Sequence, residues 1–534
     1  MTEPESLNSY DQVPYPSFPY SQSHPDHLAT IATLLRLDPP VRPYRVLELG
    51  CAAGGNLVPM AIEKPDCEFV GVDYSAKQIA NGLDVVEELQ IDNLRLHASS
   101  ILDIEESYGV FDYVLCHGVY SWVSTEVQEK ILQICASKLT PNGIAYISYN
   151  THPGWRQRGA VRDMMRYHVS RHRQESPKDR ILRARELLDF LVQATRTTDN
   201  AYSRMLYEQQ KLLRRHSDSY IFHEHLEQHN EPLWFLDFCG RLDEHGLRYL
   251  GDTDFGSMVA SMSFTPKVQE MLDSIATNLL EKEQYMDFVR NRAFRQTLIC
   301  HASANPNYEV DGKRLNGLFA ASSTIARPAT GEGVEQGQLE FALPDGLSIT
   351  TPNKTTQFSL KKLCHAWPAR LRVSQLIPDA IQETQQDTHE EEFDELKRKL
   401  EASLLTAFAT SNGRLLELSI APLDSDSQND SDSFPCVNRY VRRSARLGQV
   451  VVNKRHDIVE VAPVDRHILP LLNGSITPAQ IVSKLIELHQ FGKLQICDEH
   501  DDPIDQLERV QVILEQIVPE RLHFYFRSSL LEVL

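Results

Sequence analysis

The chain has 534 residues, 41% of them hydrophobic and 24% charged, with a formal net charge of −20. That length holds roughly three or four domains with sizeable cores. The acidic balance disfavours a nucleic-acid partner, which needs a basic surface, and suits a cationic one.

Taken in chain order, the N-terminal "MTEPESLNSYDQVPYP" is polar and acidic and lacks the pattern of a secretory leader. Strand and helix signals alternate from residue 25 to 150. Helical spacing marks 25–37, 75–90 and 125–139, with a further helix near 56–64 and Ser75 as an N-cap. Apolar runs predict strands at 45–49, 68–73, 94–98, 111–117 and 144–150, with "TPNG" at 140–143 as the turn into the last. This alternation predicts a doubly wound α/β sheet. Residues 151–219 are rich in Arg, Gln, Glu and Leu with helical periodicity and read as a helical insertion. A helix at 231–246 ending on Gly246, then strands at 247–255 and 294–302, resume the sheet.

Beyond 303, short strands, one or two helices and a charged amphipathic helix at 389–408 are expected, followed by a solvated low-complexity linker at 424–433. "VAPVDRHILPLLNGSITPAQIVSKLIELHQFG" reads as two helices joined by "NGSIT"; the strand-like "QVVVNKR" before it suggests a winged-helix-like end. The domain expectation is 1–150 with 220–303 as one interrupted sheet unit, 151–219 as the insertion, 304–433 as a middle α+β region and 434–534 as the C-terminal module. No run of about 18 apolar residues predicts a membrane span. The nine cysteines are odd in number and scattered without CxxC pairs, which suits reduced thiols in a cytoplasmic protein.

The turn "RVLELGCAAGGN" (45–56) carries the chemistry. A dinucleotide site would read GxGxxG, but Ala52 stands where the middle glycine belongs. The better match is acidic–x–Gly–x–small–x–Gly, formed by Glu48, Gly50, Ala52 and Gly54, with Cys51 between. A carboxylate at the strand end repels a pyrophosphate and suits the ammonium group of S-adenosyl-L-methionine. Asp73 ends the second strand, where a carboxylate accepts from ribose hydroxyls, and Tyr74 follows it. Ser100 and the Ile101 N–H lie where an adenine edge would sit, with Asp103 as a second candidate.

The stretches "YDQVPYPSFPY", "VLELGCAAGGNLVPMA", "FVGVDYSAKQIA", "FDYVLCHGVYSWV", "YISYNTHPGW", "HEHLE" and "EQYMDFVRNRAFRQTLICH" resemble the bacterial class I methyltransferases that carry a methyltransferase regulatory domain. That group includes rickettsial-type protein-lysine methyltransferases. The resemblance covers residues 10 to about 301, and less sharply the C-terminal part. It implies a Rossmann-like domain with a dimerising helical insertion, S-adenosylmethionine as cofactor, and lysine side chains of proteins as acceptors. A small-molecule acceptor and a non-catalytic S-adenosylmethionine-binding regulator stay open as alternatives.

Methyl transfer needs orientation, a dry cavity and a deprotonated acceptor. His117, Tyr120 and Trp122 follow the fourth strand, and Asn150, His152 and Trp155 the fifth, at the sheet edge where ligands bind in this architecture. His117 is a cofactor or substrate contact, and His117, Tyr120 and Asn150 are the catalytic candidates. Tyr10, Tyr15 and Tyr20 are candidate walls of an N-terminal lid. His223 and His225 in "HEHLE" lack metal-ligand spacing, so hydrogen bonding is expected and no metal. The basic clusters 290–295 and 439–446 read as solvated faces or internal ion pairs.

Overall fold

The computed structural model describes residues 9–532 except 173, 310, 332–335, 385–389, 424–433, 499 and 501; the side chains of residues 9, 10 and 390 also lie outside the description. The expected linker at 424–433 and the Tyr10 wall therefore lie outside the described residues.

Seven strands form the central sheet: β1 (Arg45–Leu49), β2 (Glu68–Asp73), β3 (Leu94–Ala98), β4 (Phe111–Cys116), β5 (Leu139–Asn150), β6 (Leu247–Asp252) and β7 (Phe294–His301). Their order is β3-β2-β1-β4-β5-β7-β6, parallel except for β7, which is antiparallel to both neighbours. This is the class I methyltransferase architecture. Alternate side chains enter different cores: Val46, Phe69 and Tyr113 face one, and Leu47, Val70 and Val114 the other. Each such fully buried side chain contributes about 1.5–3 kcal/mol, so both faces hold the strands in register.

Three boundaries differ from expectation. β5 begins at Leu139, opposite Phe111, and register resumes at Ile144 opposite Tyr113. Residues 140–143 thus bulge from a continuous strand instead of turning into it, with Thr140 Oγ1 donating to Asp112 Oδ1 at 3.0 Å. The helix expected from 231 begins at Phe235, because the Leu233 N–H is taken by Asn150 O at 3.0 Å. β6 stops at Asp252, because Asp254 caps the helix Phe255–Met258.

The insertion folds as helices Trp155–Val169, Pro177–Ala194 and Ala201–Leu213 around their own core, then a short helix at Asp218–Ile221 and a π-helical turn at Phe222–Leu226. In the middle region, helices Lys354–Ala366, Val373–Thr384 and Glu390–Thr410 pack beside two three-stranded sheets. Its Leu315, Leu360, Leu376 and Leu404 extend the core that begins at Val46 and Phe69. The C-terminal module has helices at Arg439–Leu447, Pro478–Gln490 and Leu507–Arg527 and a hairpin of Val451–Val452 with Ile458–Val459. Helices beside a two-stranded wing make this a winged-helix arrangement, with Pro478 opening its helix behind the N-cap Thr477. Among the described residues, no helix is long and apolar enough to cross a membrane.

Candidate functional site

The β1 turn supplies one end of a cavity of about 570 Å³ at the carboxyl edge of the sheet. Gly50, Ala52 and Gly54 all take left-handed conformations, with φ of 75°, 49° and 74°. Ala52 accepts that strain, about 1–2 kcal/mol for a side-chain-bearing residue, where its N–H reaches Asp73 Oδ2 at 2.8 Å. Asp73 Oδ1 accepts from Ser75 N, also at 2.8 Å, so the loops after β1 and β2 are tied through one carboxylate.

Glu48 is 97% buried, and its Oε1 accepts from Asn56 Nδ2 at 2.8 Å. Its Oε2 has no hydrogen-bond partner among the described residues. Burial, with Asp73 nearby, outweighs the Asn56 bond and pushes this carboxyl up to about 7. Burial also raises the Asp73 carboxyl. A half-satisfied buried carboxylate on a cavity wall is costly unless a proton or a cation completes it, so its free acceptor fits an ammonium-bearing ligand.

Of the twelve cofactor-binding and catalytic candidates, ten line this cavity: Glu48, Gly50, Cys51, Ala52, Asp73, Tyr74, Ser100, Ile101, His117 and Asn150. Two do not. Gly54 faces the Leu96 side chain, 3.4 Å from where a Cβ would lie. Tyr120 is buried in the core between Tyr149 and Phe238, because the 3-10 turn Tyr120–Trp122 points it inward. Trp122 and Trp155 meet edge-on in the cavity wall. Asp103 is absent from the lining and closes a capping box with Ser100.

His117 stacks on Tyr20 with ring centroids 3.7 Å apart, and its Nδ1 lies 2.6 Å from Tyr146 Oη. Burial lowers its pKa to about 4, which keeps the imidazole neutral near pH 7. Asn150 ends β5 with its side-chain Nδ2 buried and without a hydrogen-bond partner among the described residues.

The N-terminal segment crosses the cavity as a strap. Gly55 N donates to Ser17 Oγ at 2.7 Å, Gln78 Nε2 to Tyr15 O at 2.9 Å, and His223 Nε2 lies 2.6 Å from Val13 O. The Gly55 N–H, just before the helix Leu57–Glu63, is used by the strap. The far wall holds Tyr15, Tyr220, Arg158 and Glu224. Burial raises the Glu224 carboxyl to about 7 against the opposing pull of Arg158 and Arg162.

Glu224 and Asn56 escape a sequence reading. Glu224 enters through the π-helical turn, and Asn56 matters for contacts 8, 36 and 400 residues away. The two basic clusters are engaged in ion pairs: Arg295 with Asp287 and Glu283, and Arg443 and Arg446 with Glu88.

Three family models match the sequence: a methyltransferase domain over residues 41–209, a predicted methyltransferase regulatory domain over 217–301, and a PKMT C-terminal winged helix domain over 434–530. Among curated proteins, uncharacterized protein RP789 of Rickettsia prowazekii is 43% identical over 316 residues, 58% of this chain and 56% of that protein. Uncharacterized protein RP028 of the same organism is 41% identical over 45% of this chain and 96% of its own length. The chain thus spans little more than half of the first relative. Among solved structures, PKMT2 from Rickettsia typhi in complex with AdoHcy has a TM-score of 0.84 and 30% identity, over 97% of this chain and 100% of that one.

Proposed function

Since this chain belongs to the class I methyltransferases that carry a methyltransferase regulatory domain, we propose that it transfers methyl groups from S-adenosyl-L-methionine to lysine side chains of a protein substrate. The observation that carries this reading is the buried Glu48 carboxylate, half unpartnered, beside Asp73 on the cavity wall. Glu48 would hold the amino group, Asp73 the ribose hydroxyls, and Ser100 with the Ile101 N–H the adenine edge. PKMT2 with AdoHcy supports the same cofactor. Bound S-adenosylmethionine supplies a sulfonium methyl group for in-line displacement.

The protein's part is to orient and to desolvate. Tyr15, Tyr20, Trp122, Trp155 and Phe294 give the cavity an aromatic wall that strips water from an amine. Neutral His117 adds no positive charge at its own end of the cavity. Glu224, raised toward neutrality, is placed to attract a lysine ammonium and take up its proton. Asn150 presents its amide at the same edge.

A small-molecule acceptor is the second reading, favoured by the strap that closes over the cavity. The scattered, unpaired cysteines support a cytoplasmic setting. The insertion is the proposed dimer face, supported by Leu182 and Phe190 on one helix, 54% and 63% exposed.

Calorimetric titration tests the cofactor. Micromolar binding of S-adenosylhomocysteine but not NADH, lost in Glu48→Ala with Asp73→Ala, is expected. No binding by the folded wild-type chain overturns the reading. Labelled methyl groups recovered on protein lysines, against label only on metabolites, then decide the acceptor.

A further inference from the structure

We infer that the C-terminal domain sets the methyl-donor end of the cavity through one histidine: His456 holds Asn56, and Asn56 holds Glu48. The inference rests on reading Glu48 as the ligand for the cofactor's amino group.

Asn56 is 1% exposed and makes four side-chain hydrogen bonds. Its Nδ2 donates to Glu48 Oε1 at 2.8 Å and to Ser23 Oγ at 3.1 Å. Its Oδ1 accepts from Tyr20 N at 2.9 Å and lies 2.9 Å from His456 Nε2. A backbone N–H can only donate, so Tyr20 fixes which end of the amide is oxygen, and His456 must donate from Nε2. Two donors and two acceptor sites are then filled, and the amide cannot turn without breaking bonds on both sides. Asn56 therefore joins the strap, the C-terminal domain and the cavity carboxylate.

His456 sits in the hairpin turn between Val452 and Ile458, 4% exposed, with a left-handed φ of 66°. That conformation is unfavourable for a non-glycine residue and persists where surrounding contacts over-determine it. Arg455 binds Glu417 Oε2 at 2.8 Å and lies over Trp367, and the His456 N–H donates to Asn453 O at 2.9 Å. Docking of the domain is secured elsewhere, by Asn438 on Glu63 and by Arg443 and Arg446 on Glu88. His456 is thus separable from adhesion. What it adds is a fixed Asn56, hence a Glu48 side chain held in one rotamer before ligand arrives, which removes part of the entropy cost of binding.

The experiment titrates the full-length chain with S-adenosylhomocysteine by calorimetry, with thermal unfolding recorded on each variant. His456→Ala is expected to weaken binding about fivefold to tenfold, as for loss of one neutral hydrogen bond. His456→Gln, whose Nε2 donates from a similar reach, is expected to restore most of it. Arg443→Ala removes a docking ion pair without touching Asn56 and is expected to bind as wild type. Asn56→Ala with His456→Ala is expected to bind no more weakly than Asn56→Ala alone. Wild-type affinity in His456→Ala, or equal weakening by Arg443→Ala, overturns the inference. If His456→Ala does not fold, Asn56→Ser carries the test, with weakened binding expected and unchanged binding overturning it. A folded wild-type chain with no affinity overturns the cofactor reading itself.

Discussion

Glu48 and Glu224 stand in one cavity with raised carboxyls, yet they face different tasks. Burial dominates both shifts, and each titrates at about 7. On the proposed reading, the cofactor's ammonium group would bind the ionised form of Glu48, so affinity for S-adenosylhomocysteine should rise as pH increases through about 7. Glu48→Gln removes a charge-assisted contact of about 1.5–3 kcal/mol, and should weaken binding roughly tenfold to a hundredfold and flatten that pH dependence. Calorimetry at pH 6 and pH 8 checks both. The same group acts oppositely on the ligand-free fold. A folded-state pKa above the unfolded one means the native state holds the extra proton, so its contribution to stability falls as pH rises from the ordinary carboxyl range to about 7. Glu224→Gln should leave cofactor affinity unchanged and lower kcat/KM for a lysine acceptor about a hundredfold, with the rise of activity through neutral pH abolished. A pH–rate profile of both proteins settles that point, and an unaltered profile removes Glu224 from the acceptor site.

At the scale of elements, the turn and the strap meet where a side chain has no room. A Cβ on Gly55 would lie 2.6 Å from both Ser17 O and Ser17 Oγ, with backbone on one side of the clash. Gly55→Ala should therefore lift the strap while leaving the sheet intact. The expected result is faster proteolysis within residues 13–20 and weaker S-adenosylhomocysteine binding, with far-UV dichroism unchanged; an undisturbed cleavage pattern would show that the strap is not seated on this glycine. The strap also marks what sequence can carry. β1, β2 and β4 are legible because apolar residues fill both faces of a parallel strand, and the carboxylates at the ends of β1 and β2 announce the cavity. Ser75 is legible as a cap because capping is local. The bulge at 140–143 looks like a turn, because "TPNG" has turn composition and the pairing of Leu139 with Phe111 is distant information. Tyr120 looks like a site residue because His117, Val119 and Trp122 around it line the cavity, and the inward-pointing 3-10 turn sends it to the core. Asn56 carries no signal at all, since its meaning arises from chain brought together by folding.

For the whole molecule, Glu417 links the middle region to the C-terminal domain. Its Oε1 accepts from Arg370 Nε and its Oε2 from Arg455 Nε, both at 2.8 Å, and the two arginine side chains are almost fully buried. Burial alone would raise this carboxyl; the two guanidiniums override it and hold it at about 2. The stabilisation is therefore present above the unfolded carboxyl pKa of about 4.3 and lost as pH falls through about 2. Removing one partner of a buried ion network strands the others at a cost of about 3–5 kcal/mol. Glu417→Ala leaves two guanidiniums without their shared carboxylate, so its melting temperature should drop clearly, and the gap from wild type should narrow as pH falls toward 2. Arg455 immediately precedes His456, so this variant should also weaken S-adenosylhomocysteine binding, although Glu417 does not line the cavity that holds Glu48. A variant that melts early but binds as tightly as wild type would separate the stability of the domain junction from the setting of the cavity. Loss of both together would mean that one ion network supports the docked wing and the carboxylate it steadies.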